Sequence, residues 1–168
     1  MSASVTSTLQ LERLRGISAY FATGVTAVLA NYAGQQWGMT VNSFASLSLD
    51  PPLVLFCVRT GSAMVHAITG AGGFTVNVLS VDQGEISSRL ARRGGPEKMQ
   101  GIETLRVSSG ALRLAGALAW FDCLLERCEP GGDHLIVIGR VVNGGHRELD
   151  CEPLLFYRSA YRALLPVE

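Results

Sequence analysis

Residues Gly38 to Phe56 read GMTVNSFASLSLDPPLVLF, two strand-like runs separated by Asp50-Pro51-Pro52. The break follows from chemistry: Pro51 has no N–H to donate to a ladder and confines Asp50 to extended conformations. In the first run Met39, Val41, Leu47 and Leu49 share one parity, Phe44 breaks it, and Ser43 and Ala45 lie between. A strand whose parity slips must bend or bulge, so main chain near Ser43 to Ser46 is expected to be freed from its ladder. The run also carries Thr40, Asn42, Ser43, Ser46 and Ser48 where a solvent face would more often carry Lys, Glu or Arg. Small polar side chains beside uncommitted N–H groups suit close approach by a flat polar ligand.

Working outward, TGVTAVLAN alternates as a strand, YAGQQ turns, and WGMTVNSFASLSL returns, which is a hairpin pattern. Upstream, Leu11, Leu14, Ile17 and Phe21 recur at three- and four-residue steps and predict an amphipathic helix over residues 9–21. Downstream, SAMVHAIT reads as a short helix with Ser62 as its N-cap, GGFTVNVL as a strand, and VDQGEISSRLARR as a helix capped by Asp82 or its neighbour. The remainder is mostly strand: LRVS, ALAWFDCLLERC, a turn at EPGGD, HLIVIGRVVN and a turn at NGG. Six or more strands joined mostly by hairpins favour a small closed barrel over a doubly wound parallel sheet. The 168 residues suit one domain, 1–168.

Composition removes several functions. The formal net charge is zero and only Arg92-Arg93 pairs basic residues, so no electrostatic stripe calls for nucleic acid or an anionic membrane. No apolar stretch approaches the ~20 residues of a membrane span, and the first residues, MSASVTSTLQLERLRG, lack the pattern of a secretory leader, so a cytoplasmic protein is expected. Hydrophobic residues make up 48% and charged residues 17%, which is little charge for a monomer's surface and fits a homodimer. Cys57, Cys123, Cys128 and Cys151 form no CxxC and have no matching histidine spacing. They are expected to be buried free thiols of a reducing compartment, with no metal site. Of the 14 basic residues all but Lys98 are arginine, and GGPEKMQG around Lys98 fits neither a phosphate-binding P-loop nor a Schiff base.

GAGGFT at Gly70 is not a dinucleotide fingerprint, because Thr75 stands where the third glycine belongs and the glycines precede a strand instead of opening a helix. Asp133-His134 has no GxSxG elbow near it, and adjacent strand residues point to opposite faces, which argues against a Ser-His-Asp machine. His134 at a strand entrance is either a capped surface histidine or a cleft residue, whereas His66 and His146 read as structural. VRTGSAM puts Arg59, Thr60, Gly61 and Ser62 at a helix N-terminus, where the dipole and free N–H groups favour an anion. A planar polar ligand carrying a phosphate would satisfy both this corner and the small-polar run.

Together FATGVTAVLA, GMTVNSFASLSLDPPLVLFCV, GGFTVNVLS, GGDHLIVIGRVV and PLLFYRSAYRAL resemble the flavin reductase-like, FMN-binding split-barrel family. More particularly the chain resembles the reductase components of two-component flavin-dependent monooxygenases, in order from Leu11 to Leu164. The resemblance implies an all-β dominated, six-stranded antiparallel split barrel with flanking short helices, usually a homodimer. It implies hydride transfer from NADH or NADPH to FMN or FAD, with reduced flavin diffusing to a separate flavin-dependent monooxygenase. By the same resemblance Thr40, Asn42, Ser43 and Ala45 meet the isoalloxazine and ribityl chain, and Arg59 and Ser62 meet the phosphate; backbone N–H groups from Ser43 to Ser46 suit the negative charge that reduction builds on the flavin ring. His134 matches the family's Gly-Asp-His histidine near the nicotinamide, and Tyr161 its C-terminal aromatic. Leu90 and Met99 stand where the family often has Phe. The rival reading is a flavin-binding electron-transfer module that does not react with NAD(P)H.

Overall fold

The computed structural model describes residues 8–148 and 151–165. In chain order the elements are α1 (Thr8–Ser18), β1 (Thr23–Gly24), β2 (Thr26–Tyr32), β3 (Gln35–Val41), β4 (Ala45–Leu49), β5 (Pro52–Arg59), α2 (Ala63–Ala71) and β6 (Gly73–Val78). There follow α3 (Gly84–Leu90), β7 (Thr104–Arg106), β8 (Leu112–Leu114), β9 (Ala119–Gly131), β10 (His134–His146), β11 (Leu155–Tyr157) and β12 (Ala160–Arg162). The main sheet has seven strands in the order β3-β2-β6-β9-β10-β5-β4, each pair antiparallel.

The sequence-adjacent strands β3 and β4 lie at opposite ends of that order, and only Asn42, Ser43 and Phe44 connect them. Four Cα steps reach about 14 Å at most, whereas six interstrand spacings in a flat sheet would separate the edges by about 29 Å. The sheet therefore curls until its two edges come within reach of the short crossover, and the expected antiparallel barrel results. It has one strand more than expected because the WGMTVNSFASLSL run is two strands, split where the parity slips. A register shift between Ser46 and Ser48 in the β4–β5 ladder adds a bulge just beyond the crossover.

β2 shows why a strand can be apolar on both faces, since Thr26 to Ala30 are all buried. Val28 and Ala30 join the barrel interior with Phe56, Phe74, Val137 and the buried face of α2. Ala27 and Leu29 point the other way, into a second core with Leu79, Leu90, Met99 and Leu114. Inside the barrel the rings of Phe56 and Phe74 meet edge to face, with centroids 5.3 Å apart.

Several local expectations are corrected. The expected NGG turn is strand: β10 runs through Asn143, Gly144 and Gly145 to His146 opposite β9. The glycines serve close approach there, because a Cβ on Gly144 would lie 2.8 Å from the Trp120 carbonyl oxygen. His146 accordingly ends a strand instead of sitting in a turn. The helix after β6 is preceded by a 3-10 turn, Val81–Gln83, capped by Ser80, whose N–H donates to Gln83 Oε1 at 3.2 Å, and the N-cap of α3 itself is Gln83, the neighbour of Asp82. Ser80 hydroxyl also donates to Asp82, so Asp82 supports the cap without being it. α1 forms but ends at Ser18, and its apolar residues Leu11, Leu14 and Ile17 are 51%, 60% and 62% exposed, so nothing in the described chain covers them.

All four cysteines are free, and only Cys123 is fully buried; the other three are half-buried. Burial, with a smaller contribution from the Asp122 charge, pushes the Cys123 thiol up to about 12. Among the described residues no group of His, Cys, Asp and Glu could hold a metal. Among the described residues no helix is long and apolar enough to cross a membrane.

Candidate functional site

Arg59 is the last residue of β5, and the chain then turns through Thr60 and Gly61 into α2. Gly61 has φ +80°, the left-handed conformation glycine adopts without strain. The Ser62 N–H donates to the Arg59 carbonyl at 3.0 Å, and Ser62 Oγ accepts the Met64 N–H at 3.3 Å, capping the helix. Placed this way, Arg59 and Ser62 open onto a cleft of about 500 Å3 together with Thr40 from β3 and Arg92, Arg93 and Lys98 from the segment after α3. A helix N-terminus beside a guanidinium attracts anions through its dipole and free N–H groups.

Asp133 lies beside Arg59. Its Oδ2 lies 3.8 Å from Arg59 Nη2, and His134 Nδ1 lies 2.7 Å from its Oδ1. The hydrogen bond from His134, then the charges of His134 and Arg59, hold the Asp133 carboxyl below the usual carboxylate range. His134 faces Arg59 across the β10–β5 ladder, which is why the three groups meet. His134 does not line the cleft.

A second cleft, about 570 Å3, is lined by Asn42, Ser43, Phe44 and Ala45 of the crossover with Phe21 and Thr23 ahead of β2. The main chain of Asn42 to Phe44 lies outside both flanking ladders, so its N–H groups are not committed to a strand partner. Ser43's hydroxyl is committed: it accepts the Cys57 N–H at 2.9 Å and donates to the Cys57 carbonyl at 3.2 Å. Thr23 Oγ1 is buried with no partner among the described residues. An orphaned hydroxyl at a cleft of this size leaves a hydrogen bond for a ligand to complete.

The structure thus divides the expected residues. Thr40, Arg59 and Ser62 share the cationic cleft, and Asn42, Ser43 and Ala45 share the neutral one. Ser46 is exposed on β4 and lines neither. Tyr161 also lines neither. Its hydroxyl donates to Ser87 Oγ at 2.8 Å, and Thr40 Oγ1 donates to the Ser87 carbonyl at 2.7 Å, so Tyr161 reaches β3 through α3. Leu90 and Met99 are buried in the second core, packed near Gly38.

Sequence reasoning missed Arg92, Arg93 and Lys98 in the first cleft and Phe21 and Thr23 in the second. The Arg92-Arg93 doublet was the available signal. Lys98 acts partly on the fold: Nζ donates to the Leu90 and Arg92 carbonyls at 3.2 and 3.1 Å, neutralising the C-terminal end of α3. Burial lowers the Lys98 pKa from its ordinary value.

Residues 18–165 match the flavin reductase like domain family. The chain is 40% identical over 154 residues to the reductase subunit HsaB of a flavin-dependent monooxygenase from Rhodococcus jostii (strain RHA1), covering 92% of this chain and 78% of that protein. It is 40% identical over 141 residues to the FMN reductase (NADH) SmoA of Agrobacterium fabrum (strain C58 / ATCC 33970), covering 84% and 79%. Among solved structures, the NADH:FAD oxidoreductase SgcE6 of Streptomyces globisporus C-1027, in complex with NAD and FAD fragments, superposes with a TM-score of 0.87 at 32% identity over 98% of each chain.

Proposed function

This chain belongs to the flavin reductase-like domain family, and we propose that it is an NAD(P)H:flavin oxidoreductase that supplies reduced FMN or FAD to a separate flavin-dependent monooxygenase. One observation carries the reading beyond family membership. On either side of Val41, the polypeptide borders a neutral cleft with uncommitted main chain and a cationic cleft at a helix N-terminus. A flavin nucleotide has a matching division, a flat neutral ring system at one end and a phosphate at the other.

The donor set fits such a ligand. The crossover N–H groups are not committed to a strand partner and would serve ring carbonyls and nitrogens, and Thr23, whose buried Oγ1 lacks a partner, lines the same cleft. Arg59 and the N-terminal turn of α2, with Ser62, would take the phosphate. The flavin, when bound, supplies the redox chemistry by accepting a hydride from the nicotinamide, which leaves NAD(P)+ and reduced flavin. The chain's own part is to hold the rings in register and to place N–H dipoles where negative charge grows. His134, opposite Arg59 in the ladder and hydrogen-bonded to Asp133, is the side chain we assign to the nicotinamide end.

The proposal includes a single domain, a cytoplasmic location supported by the four free cysteines, and a homodimer. The bare apolar face of α1 supports the dimer, because Leu11, Leu14 and Ile17 form a stripe with no cover among the described residues. The decisive experiment mixes purified protein with FMN or FAD and NADH or NADPH without oxygen. Catalytic loss of flavin's visible absorbance is expected; binding of flavin without that loss would leave the electron-transfer module in its place.

A further inference from the structure

The cationic cleft holds more positive charge than one phosphate requires. Arg59 and the start of α2 already form an anion corner, and the monophosphate of FMN carries only about two negative charges at neutral pH. Yet Arg92 and Arg93 line the same cleft from another wall, the segment following α3. An ordinary explanation for cations at that place is service to the helix C-terminus. Lys98 already performs it, with Nζ on the Leu90 and Arg92 carbonyls. Among the described residues neither the Arg92 nor the Arg93 side chain makes a hydrogen bond or ion pair. The one carboxylate in the adjoining turn, Glu97, is engaged by the backbone instead, its Oε1 accepting the Gly95 N–H at 2.6 Å.

We propose that Arg92 and Arg93 form a second phosphate subsite in the cleft of Arg59 and Ser62, taking a phosphate beyond the single one that FMN carries. The proposal rests on the nucleotide-reductase reading and narrows its substrate class to dinucleotides. Two substrates offer the chemistry: the diphosphate of FAD and the additional phosphate of NADPH. Arginine suits either, because its planar fork meets phosphate oxygens in pairs.

The test is the double variant Arg92→Gln/Arg93→Gln in the full chain, with KM measured for FAD, FMN, NADPH and NADH. Charge-assisted hydrogen bonds of this type correspond to about a tenfold to hundredfold change in affinity. A rise of that order for FAD with FMN unchanged assigns the subsite to the flavin. The same rise for NADPH with NADH unchanged assigns it to the nicotinamide nucleotide. Equal changes for all four, or no change, overturn the proposal. Calorimetry with inorganic pyrophosphate and inorganic phosphate separates this from failure of the reductase reading. Wild-type protein that reduces no flavin, yet prefers pyrophosphate and loses that preference in the double variant, keeps the subsite and loses the reductase. Arg92→Lys/Arg93→Lys, which keeps the charge, is expected to restore part of the affinity.

Discussion

Ser43 and Cys57 are joined by two hydrogen bonds, the Cys57 N–H to Ser43 Oγ at 2.9 Å and the Ser43 hydroxyl to the Cys57 carbonyl at 3.2 Å. The β4–β5 ladder stops at Ala45 and Leu55, so beyond it one serine side chain stands in for the missing strand and pins the crossover to β5. Ser43→Ala leaves that donor and acceptor unpaired. The expected loss is about 1–3 kcal/mol, which lowers the melting temperature by about 2–10 °C in a chain of this size. An unchanged thermal transition would show that the clamp contributes nothing.

Ser62→Asp separates capping from ligand binding. Aspartate caps helices as well as serine does, so α2 keeps its first turn, while a negative charge is added where the flavin phosphate is proposed to sit. Steady-state kinetics should show the flavin KM rising at least about tenfold for a charge-assisted contact turned repulsive, with a much smaller change for NADH. Equal effects on both substrates would remove Ser62 from the phosphate site.

Asp133 competes with that phosphate for Arg59. Its pKa is lowered in the folded chain, so its ion pairs are present above the ordinary aspartate range and are lost as the pH falls through the lowered value. At neutral pH the carboxylate therefore stays charged and holds Arg59. Asp133→Asn should lower the flavin KM, by at most about fivefold because the pair is exposed. The difference from wild type should vanish at acidic pH, where Asp133 itself becomes neutral. A higher KM in the variant would mean that Asp133 orients Arg59 toward the ligand instead of restraining it.

Gly139 marks where the barrel has no spare volume. It sits at a register shift in β10, and a Cβ there would come within 2.4 Å of the buried Phe74 ring and 3.0 Å of Cys123 Cβ. Gly139→Ala is expected to cost about 1–3 kcal/mol through overpacking, read as a lower denaturant midpoint with an unchanged slope. A neutral result would mean that Phe74 can move, contrary to a close-packed interior.

The apolar face of α1 predicts association. Sedimentation should give a dimer at micromolar concentration, and Leu14→Glu/Ile17→Glu should shift it toward monomer. A wild-type monomer would leave Leu11, Leu14 and Ile17 exposed without purpose and remove the dimer from the proposal.

Much of this was legible in the sequence because its signals are local. Period-two alternation marked the strands, the slip at Phe44 marked the crossover, and Ser62 before an apolar-periodic run marked the N-cap. Errors arose where a local signal has two physical uses. Asn143-Gly144-Gly145 has the composition of a turn, but the same absence of side chains lets β10 pass close to Trp120. Ser43 reads as a ligand contact by type and place, yet its hydroxyl is consumed by Cys57, leaving Ser43's main chain for a ligand.

By itself, then, the sequence determined the antiparallel strands, their breaks, the family, and a polar crossover followed by an anion-favouring helix start, since each depends on neighbours within a few residues. Only the tertiary structure decided that Thr40 and Asn42 open onto different clefts, that Asp133 pairs with Arg59, and that Arg92 and Arg93 share a cleft with Ser62. Those facts depend on a seven-stranded sheet curling until elements tens of residues apart come together, and the strength of one charge's field on another is set by that distance in space.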